Sequence, residues 1–103
     1  MAPISDSDVE RVRALVRAIP PGTVATYGDL ATAAGLPSPR IVGTILRQDG
    51  ADLPWHRVLR ASGTPAPHLA AEQLARLRTE GVLADAGRVN LTSYRATFAR
   101  PST

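Results

Sequence analysis

The sequence predicts a mainly α-helical fold with small β elements, arranged as one winged helix-turn-helix domain over residues 1–103. Three observations predict it. Two short capped helices are joined by Gly35, Leu36 and Pro37, which is the spacing of a helix-turn-helix. Amphipathic stretches precede and follow this pair, with apolar residues recurring at helical intervals. Two short β-prone runs, Val82–Leu83 and Val89–Leu91, flank turn residues Asp85 to Gly87 in the pattern of a small hairpin or wing. A chain of 103 residues can bury one modest core and is too short for two.

The first helix is expected from Ser7, with Glu10 three residues on in the form of a capping box. Val9, Val12, Leu15, Val16 and Ile19 then share one face, and Arg11, Arg13 and Arg17 fall on the solvated side. Pro20, Pro21 and Gly22 end it, because proline lacks the helical N–H and glycine accepts positive φ. Val24 and Ala25 are extended. Thr26 caps a second helix, with Asp29 complementing its first turn, and Gly35 stops it. Ser38 caps a third helix with Pro39 in its first position and Ile41, Val42, Ile45 and Leu46 inward.

Leu53 to Leu59 reads as an extended segment interrupted by Pro54, and residues 62–67 as a turn-rich loop able to cover a pocket. The next helix carries Leu69, Leu74 and Leu77 inward, exposes Arg76 and Arg78, and stops at Gly81 after Glu80. The tail from Tyr94 to Thr103, residues 99–103 above all, is expected to fray.

Composition excludes several classes of chemistry. No cysteine is present, so disulfides, thiolate metal sites and thiol nucleophiles are ruled out. No metal or cofactor is expected. The net charge is +3, with twelve basic residues that are all arginine, a balance that permits a polyanionic partner without demanding one. The polar start and the lack of any long apolar run predict no membrane partner and a cytoplasmic protein.

Chemistry or binding concentrates in Leu53, Pro54, Trp55, His56, Arg57 and Val58, which hold the single tryptophan, one of two histidines and an arginine. An indole face, a titratable ring and a fork of donors could line a pocket for a flat, partly polar ligand. A core strand anchored by tryptophan is the alternative. In the third helix, Arg40 lies in the first turn, and Gly43 and Thr44 leave the middle slim enough to approach a groove. A surface arginine and a packing glycine would explain the same residues.

Five motifs occur in order: Ile19-Pro20-Pro21-Gly22, Thr26-Tyr27-Gly28, Arg40-Ile41-Val42-Gly43, Pro54-Trp55-His56-Arg57-Val58, and Glu80-Gly81. Together, over Val9 to about Phe98, they make the chain resemble the DNA-binding and active-site domain of the alkylguanine-DNA alkyltransferases, and more closely their non-catalytic relatives, the alkyltransferase-like proteins. The resemblance implies the fold of the alkyltransferase C-terminal domain. It also implies that Trp55 stands where the alkyltransferases carry their nucleophilic cysteine. An indole is no nucleophile toward an unactivated alkyl carbon at neutral pH, so alkyl transfer is not expected.

What the resemblance implies instead is binding of O6-alkylguanine in duplex DNA by nucleotide flipping, as a monomer, marking the lesion for nucleotide excision repair proteins. Tyr27 would crowd the phosphate beside the lesion and Arg40 would fill the vacated stack. Thr26, Tyr27, Arg40, Gly43 and Arg47 would face the DNA from the minor groove. Tyr27, Pro54, Trp55, His56, Arg57 and Val58 would border the alkylguanine pocket. His56 and Glu80 occupy the positions that polarise the thiol in the alkyltransferases and would here be a structural remnant of that relay. Asp49 falls near the family's usual asparagine, and His68 lies in the loop expected to close the pocket; neither is assigned a role. Two rivals remain open at this point: a winged-helix transcription regulator, and an enzyme with residual dealkylating activity through His56 and Glu80.

Overall fold

The computed structural model describes residues 4–98. Helix α1 spans Asp6–Arg17, strand β1 Ala25–Thr26, α2 Tyr27–Ala34 and α3 Pro39–Asp49. A single 3-10 turn at Trp55–Arg57 leads into β2, Val58–Leu59; a second 3-10 turn at Pro67–Leu69 leads into α4, Ala70–Thr79. The hairpin β3, Ala84–Asp85, and β4, Arg88–Val89, is followed by the one-turn helix α5, Leu91–Tyr94.

Helix α1 begins earlier than the Ser7–Glu10 pattern suggests. Its cap is Ser5, whose hydroxyl accepts the Asp8 N–H at 3.0 Å. Ile4 and Val9 flank this cap at the positions of a hydrophobic staple, and both pack against the same apolar cluster, which outweighs a box starting at Ser7. Helix α2 starts as expected: Thr26 Oγ1 accepts the Asp29 N–H and Asp29 Oδ2 accepts the Thr26 N–H. It ends at Gly35, in the left-handed region at φ 71°. Ser38 caps α3 with Pro39 in its first turn.

The two apolar clusters explain the layering. Val12, Val16 and Ile19 of the first helical segment meet Leu30, Ala31 and Ala34 of α2 and Val42 and Ile45 of α3, closed by Leu53 and Val58. On the other side Val24, Leu59, Leu77, Val82 and Val89 form a smaller cluster under α4 and the wing. Between them lies a short parallel ladder, Ala25 with Val58 and Thr26 with Leu59. Parallel strands need a long crossover, and α2, α3 and the 3-10 turn supply it. The β3–β4 hairpin is antiparallel, and its two-residue turn places Ala86 and Gly87 at positive φ.

Four further expectations change. Trp55–Arg57 is not extended: Pro54 sits at φ −74°, ψ 61°, and Trp55 N–H donates back to Leu53 O at 2.7 Å, the geometry of a tight three-residue turn. Proline's fixed φ favours that reversal, so pairing with β1 begins only at Val58. Leu69 belongs to the 3-10 turn before α4, and Leu91 to α5 rather than the hairpin. Arg13 is not a solvated residue: it binds Asp52 through both guanidinium ends, at 2.9 and 2.7 Å, and the Asp49 carbonyl at 2.6 Å. That hydrogen-bonded pairing holds the Asp52 carboxyl down at about 2 and ties α1 to the loop after α3.

The segment after α5 is also held. Val24 N–H donates to Tyr94 O and Ala96 N–H to Val24 O, at 2.8 and 2.7 Å, while Arg95 pairs with Asp29 at 2.9 Å through two nitrogens. Fraying therefore does not apply to residues 94–98, and residues 99–103 lie outside the described ones.

Candidate nucleic-acid interface

A cavity of about 620 Å³ opens between α3, the start of α2, the Trp55 turn and the loop before α4. Tyr27 contributes from the first turn of α2, and Arg40, Gly43 and Arg47 from one side of α3. Their spacing of three and four residues is that of one helical stripe. Trp55 forms part of the opposite wall, and Arg60, His68 and Leu69 close the rim. The walls are mostly apolar. Three arginines and one histidine stand among the lining residues, and no carboxylate does. Such a cavity suits a flat apolar body carried on a polyanion.

Each predicted residue has a definite place. Tyr27, Arg40, Gly43, Arg47 and Trp55 line the cavity. A Cβ added at Gly43 would meet nothing within 4 Å, so this glycine faces open space rather than a packed helix. Tyr27 is half-buried, and burial pushes its phenol above the ordinary value while Arg60 and Arg47 partly offset the rise. Trp55 is also half-buried, which sets aside the reading of a fully buried core anchor.

The others expected at the site stand behind it. Thr26 is buried and engaged in its capping box, because the helix start it stabilises needs its hydroxyl. Pro54, His56, Arg57 and Val58 do not line the cavity. The 3-10 turn rotates successive side chains by about a third of a revolution, so Trp55 points outward while its neighbours turn inward. Val58 is buried in β2. His56 and Arg57 converge on Glu80, at the end of α4.

Glu80 is the hub of this support. Arg57 Nε and Nη2 donate to its two oxygens at 3.0 and 2.8 Å, and Gly22 N–H donates to Oε1 at 3.3 Å. His56 Nε2 lies 2.8 Å from Oε2. Arg57, foremost, and then His56 and Gly22 hold the carboxyl down at about 2 against the upward push of burial. A carboxylate only accepts, so Nε2 carries a proton in this contact. Nδ1 is buried and has no hydrogen-bond partner among the described residues. Arg57 Nη1 also donates to Ile19 O at 2.9 Å, which ties the end of α1 to the Trp55 turn. No group of residues with metal-ligand character occurs among those described.

Three contributors were not singled out from sequence. Arg60 lines the cavity and is steadied by Thr64, whose hydroxyl accepts from Nη2 at 2.9 Å. Gln73 is buried and donates to the carbonyls of His56 and Val58, at 3.0 and 2.7 Å, bolting α4 to the turn that carries Trp55. Its position midway between Leu69 and Leu77 on one helical stripe was the available signal. Arg76 places its guanidinium carbon 5.4 Å from the Trp55 ring centroid, a contact with no local signature.

The chain has known relatives. Residues 9–82 match the family model described as 6-O-methylguanine DNA methyltransferase, DNA binding domain. The chain belongs to this family. Among its relatives, the DNA base-flipping protein of Escherichia coli (strain K12) is 41% identical over 96 residues, covering 87% of this chain and 74% of that protein. The structure of S. pombe Atl1 in complex with damaged DNA containing O6-carboxymethylguanine matches at a TM-score of 0.77 and 30% identity, over 90% of this chain and 97% of Atl1. Mycobacterium tuberculosis O6-methylguanine methyltransferase matches at 0.63 and 30% identity, over 86% of this chain but only 55% of the other. Within the methyltransferase family, then, this fold corresponds to most of the base-flipping proteins and to one part of the longer enzyme. No helix among the described residues is long and apolar enough to cross a membrane.

Proposed function

We propose that this protein binds O6-alkylguanine in duplex DNA, turns the modified nucleotide into the cavity beside Trp55, and leaves the alkyl group where it is. The observation that carries this reading is the cavity itself, with Tyr27 and Arg40 on one side and an indole wall on the other, in a chain without cysteine. Base-flipping relatives and the Atl1 complex with damaged DNA support it.

The energetics are consistent with a sensor. Extruding a base costs a few kcal/mol, and least where pairing is already impaired, as when O6 alkylation removes the N1 proton of guanine. Stacking on an aromatic wall returns about 1–3 kcal/mol per base. A damaged nucleotide is therefore retained where an intact one returns to the helix. Arg40, Arg47 and Arg60 line the cavity without a carboxylate among its described lining residues, which leaves positive charge for phosphates or the vacated stack. Docking from the minor groove, whose edges carry little sequence information, suits a protein that must inspect any sequence.

Trp55 stands in this reading where the enzymes of the family place their cysteine, so no alkyl acceptor remains. His56, Arg57 and Glu80 then serve as scaffold. The protein acts as a monomer and hands the lesion to nucleotide excision repair proteins.

The test is a titration with matched duplexes containing guanine or O6-methylguanine, followed through Trp55 fluorescence. A lesion-dependent change with the modified base recovered intact is the expected result. Equal responses to both duplexes would make this a general DNA binder, and loss of the methyl group would make it an enzyme. Arg40→Ala is expected to weaken binding to the damaged duplex by about tenfold, or about 1.4 kcal/mol, if its side chain fills the vacated stack. Unchanged affinity would remove Arg40 from that role.

A further inference from the structure

Trp55 has a second partner besides the cavity. Arg76, on the outer side of α4, places its guanidinium carbon 5.4 Å from the indole centroid. It does not line the cavity, whereas Trp55 does, so the cation backs the ring without occupying the space a base would fill. Arg76 is itself held: Nε and Nη2 lie 3.0 and 2.8 Å from Glu72 Oε2, one helical turn earlier. The indole and the His56 ring lie perpendicular, 6.3 Å between centroids at an interplanar angle of 87°. The indole is therefore flanked by its neighbour's ring and by the guanidinium from α4.

We propose that Arg76 is a positioning residue for lesion binding, holding the Trp55 indole at the angle that receives the flipped base and drawing its π density away from the cavity. Aromatic faces are electron-rich, so two rings stacked face to face repel electrostatically unless offset. A cation behind one ring relieves that repulsion and leaves a more receptive face for guanine, an electron-rich base. A half-buried indole without such backing would sample several rotamers, and ordering it on binding would cost affinity. The proposal rests on the reading of the cavity as a base-binding site. It assigns the discrimination of damaged from intact DNA partly to a residue outside the cavity.

The experiment has one arm without DNA and one with it. In the free protein, Arg76→Ala is expected to change the near-ultraviolet dichroism of Trp55 and raise its quenching by acrylamide, with far-ultraviolet dichroism unchanged because alanine suits an exposed helical position. Arg78→Ala, on the same helix and without an aromatic contact, controls for lost charge and should leave the Trp55 signals as they are. With DNA, Arg76→Ala is expected to lower the ratio of affinities for O6-methylguanine and guanine duplexes about three- to tenfold, and Arg76→Lys to restore part of it. Unaltered Trp55 signals in Arg76→Ala would overturn the proposal. So would equal weakening toward both duplexes in Arg76→Ala and Arg78→Ala, which would mark Arg76 as a phosphate contact. A wild-type protein that fails to distinguish the two duplexes would instead overturn the base-binding reading, with the DNA-free arm still deciding whether Arg76 orients the ring.

Discussion

Glu80→Ala is expected to destabilise the fold by about 3 kcal/mol, measured by chemical denaturation near pH 7. Removing one member of a largely buried ion pair leaves the other without compensation, at a typical cost of about 3–5 kcal/mol. The Glu80 and Arg57 side chains keep 16% and 13% of their exposure, enough solvent contact to favour the lower end. Three donors lose their acceptor at once: the Arg57 guanidinium, His56 Nε2 and Gly22 N–H. Because Arg57 also holds Ile19 O, the loss reaches the end of α1 as well as the Trp55 turn. Glu80→Gln, which keeps the shape and one acceptor oxygen, should fall between the two.

The same carboxylate makes stability depend on pH in a definite direction. Its folded value of about 2 lies below the ordinary 4.5, so the folded state prefers the ionised form. The contribution is complete above about 4.5 and is lost as pH falls from there through about 2. Asp29, lowered by Arg95 and its capping bonds despite burial, adds to the slope with the same sign. Wild-type stability should therefore decline between pH 4.5 and 2, with a visibly shallower decline in Glu80→Ala. Parallel slopes in the two proteins would show that Glu80 is not the linked group.

The second large effect concerns recognition. Trp55→Ala is expected to weaken binding to an O6-methylguanine duplex by roughly 5- to 150-fold, the range given by about 1–3 kcal/mol of lost stacking. Affinity for the intact duplex should change little, because the arginines lining the cavity remain available to phosphates. The measurement uses anisotropy of a labelled duplex, since the substitution removes the intrinsic probe. Truncation should cost little stability: Trp55 is half-buried at the cavity wall, whereas Leu77 and Val58 fill the interior. Equal losses toward both duplexes would show that Trp55 supports the fold or general DNA contact without reading the lesion.

Much of the fold was legible from residues acting over a few positions. Thr26 with Asp29, Ser38 with Pro39, and Gly35 each satisfy or terminate a helix end through backbone groups within four residues, so their types announce their roles. The stripe Val12, Val16, Ile19 is equally local. The start of α1 was misplaced for a physical reason. The Ser7–Glu10 pattern is local, whereas the cap at Ser5 goes with Ile4, whose packing depends on a core assembled from three helices.

The site divides in the same way. The resemblance assigned Tyr27, Arg40, Gly43, Arg47 and Trp55 to DNA or to the pocket, and all five line one cavity. The motifs could not say that His56 and Arg57 turn away from it, since a strand and a 3-10 turn direct neighbouring side chains differently and Pro54 permits either.

By itself, then, the sequence determined the capped starts of α2 and α3, the apolar faces and the absence of a thiol, because those follow from local backbone chemistry and composition. Only the tertiary structure decided that Glu80 also gathers Arg57 from 23 residues away, that Arg13 clamps Asp52 across 39, and that Arg76 backs the indole. Those contacts join elements distant in the chain, and their geometry exists only after the two apolar clusters have brought the helices together.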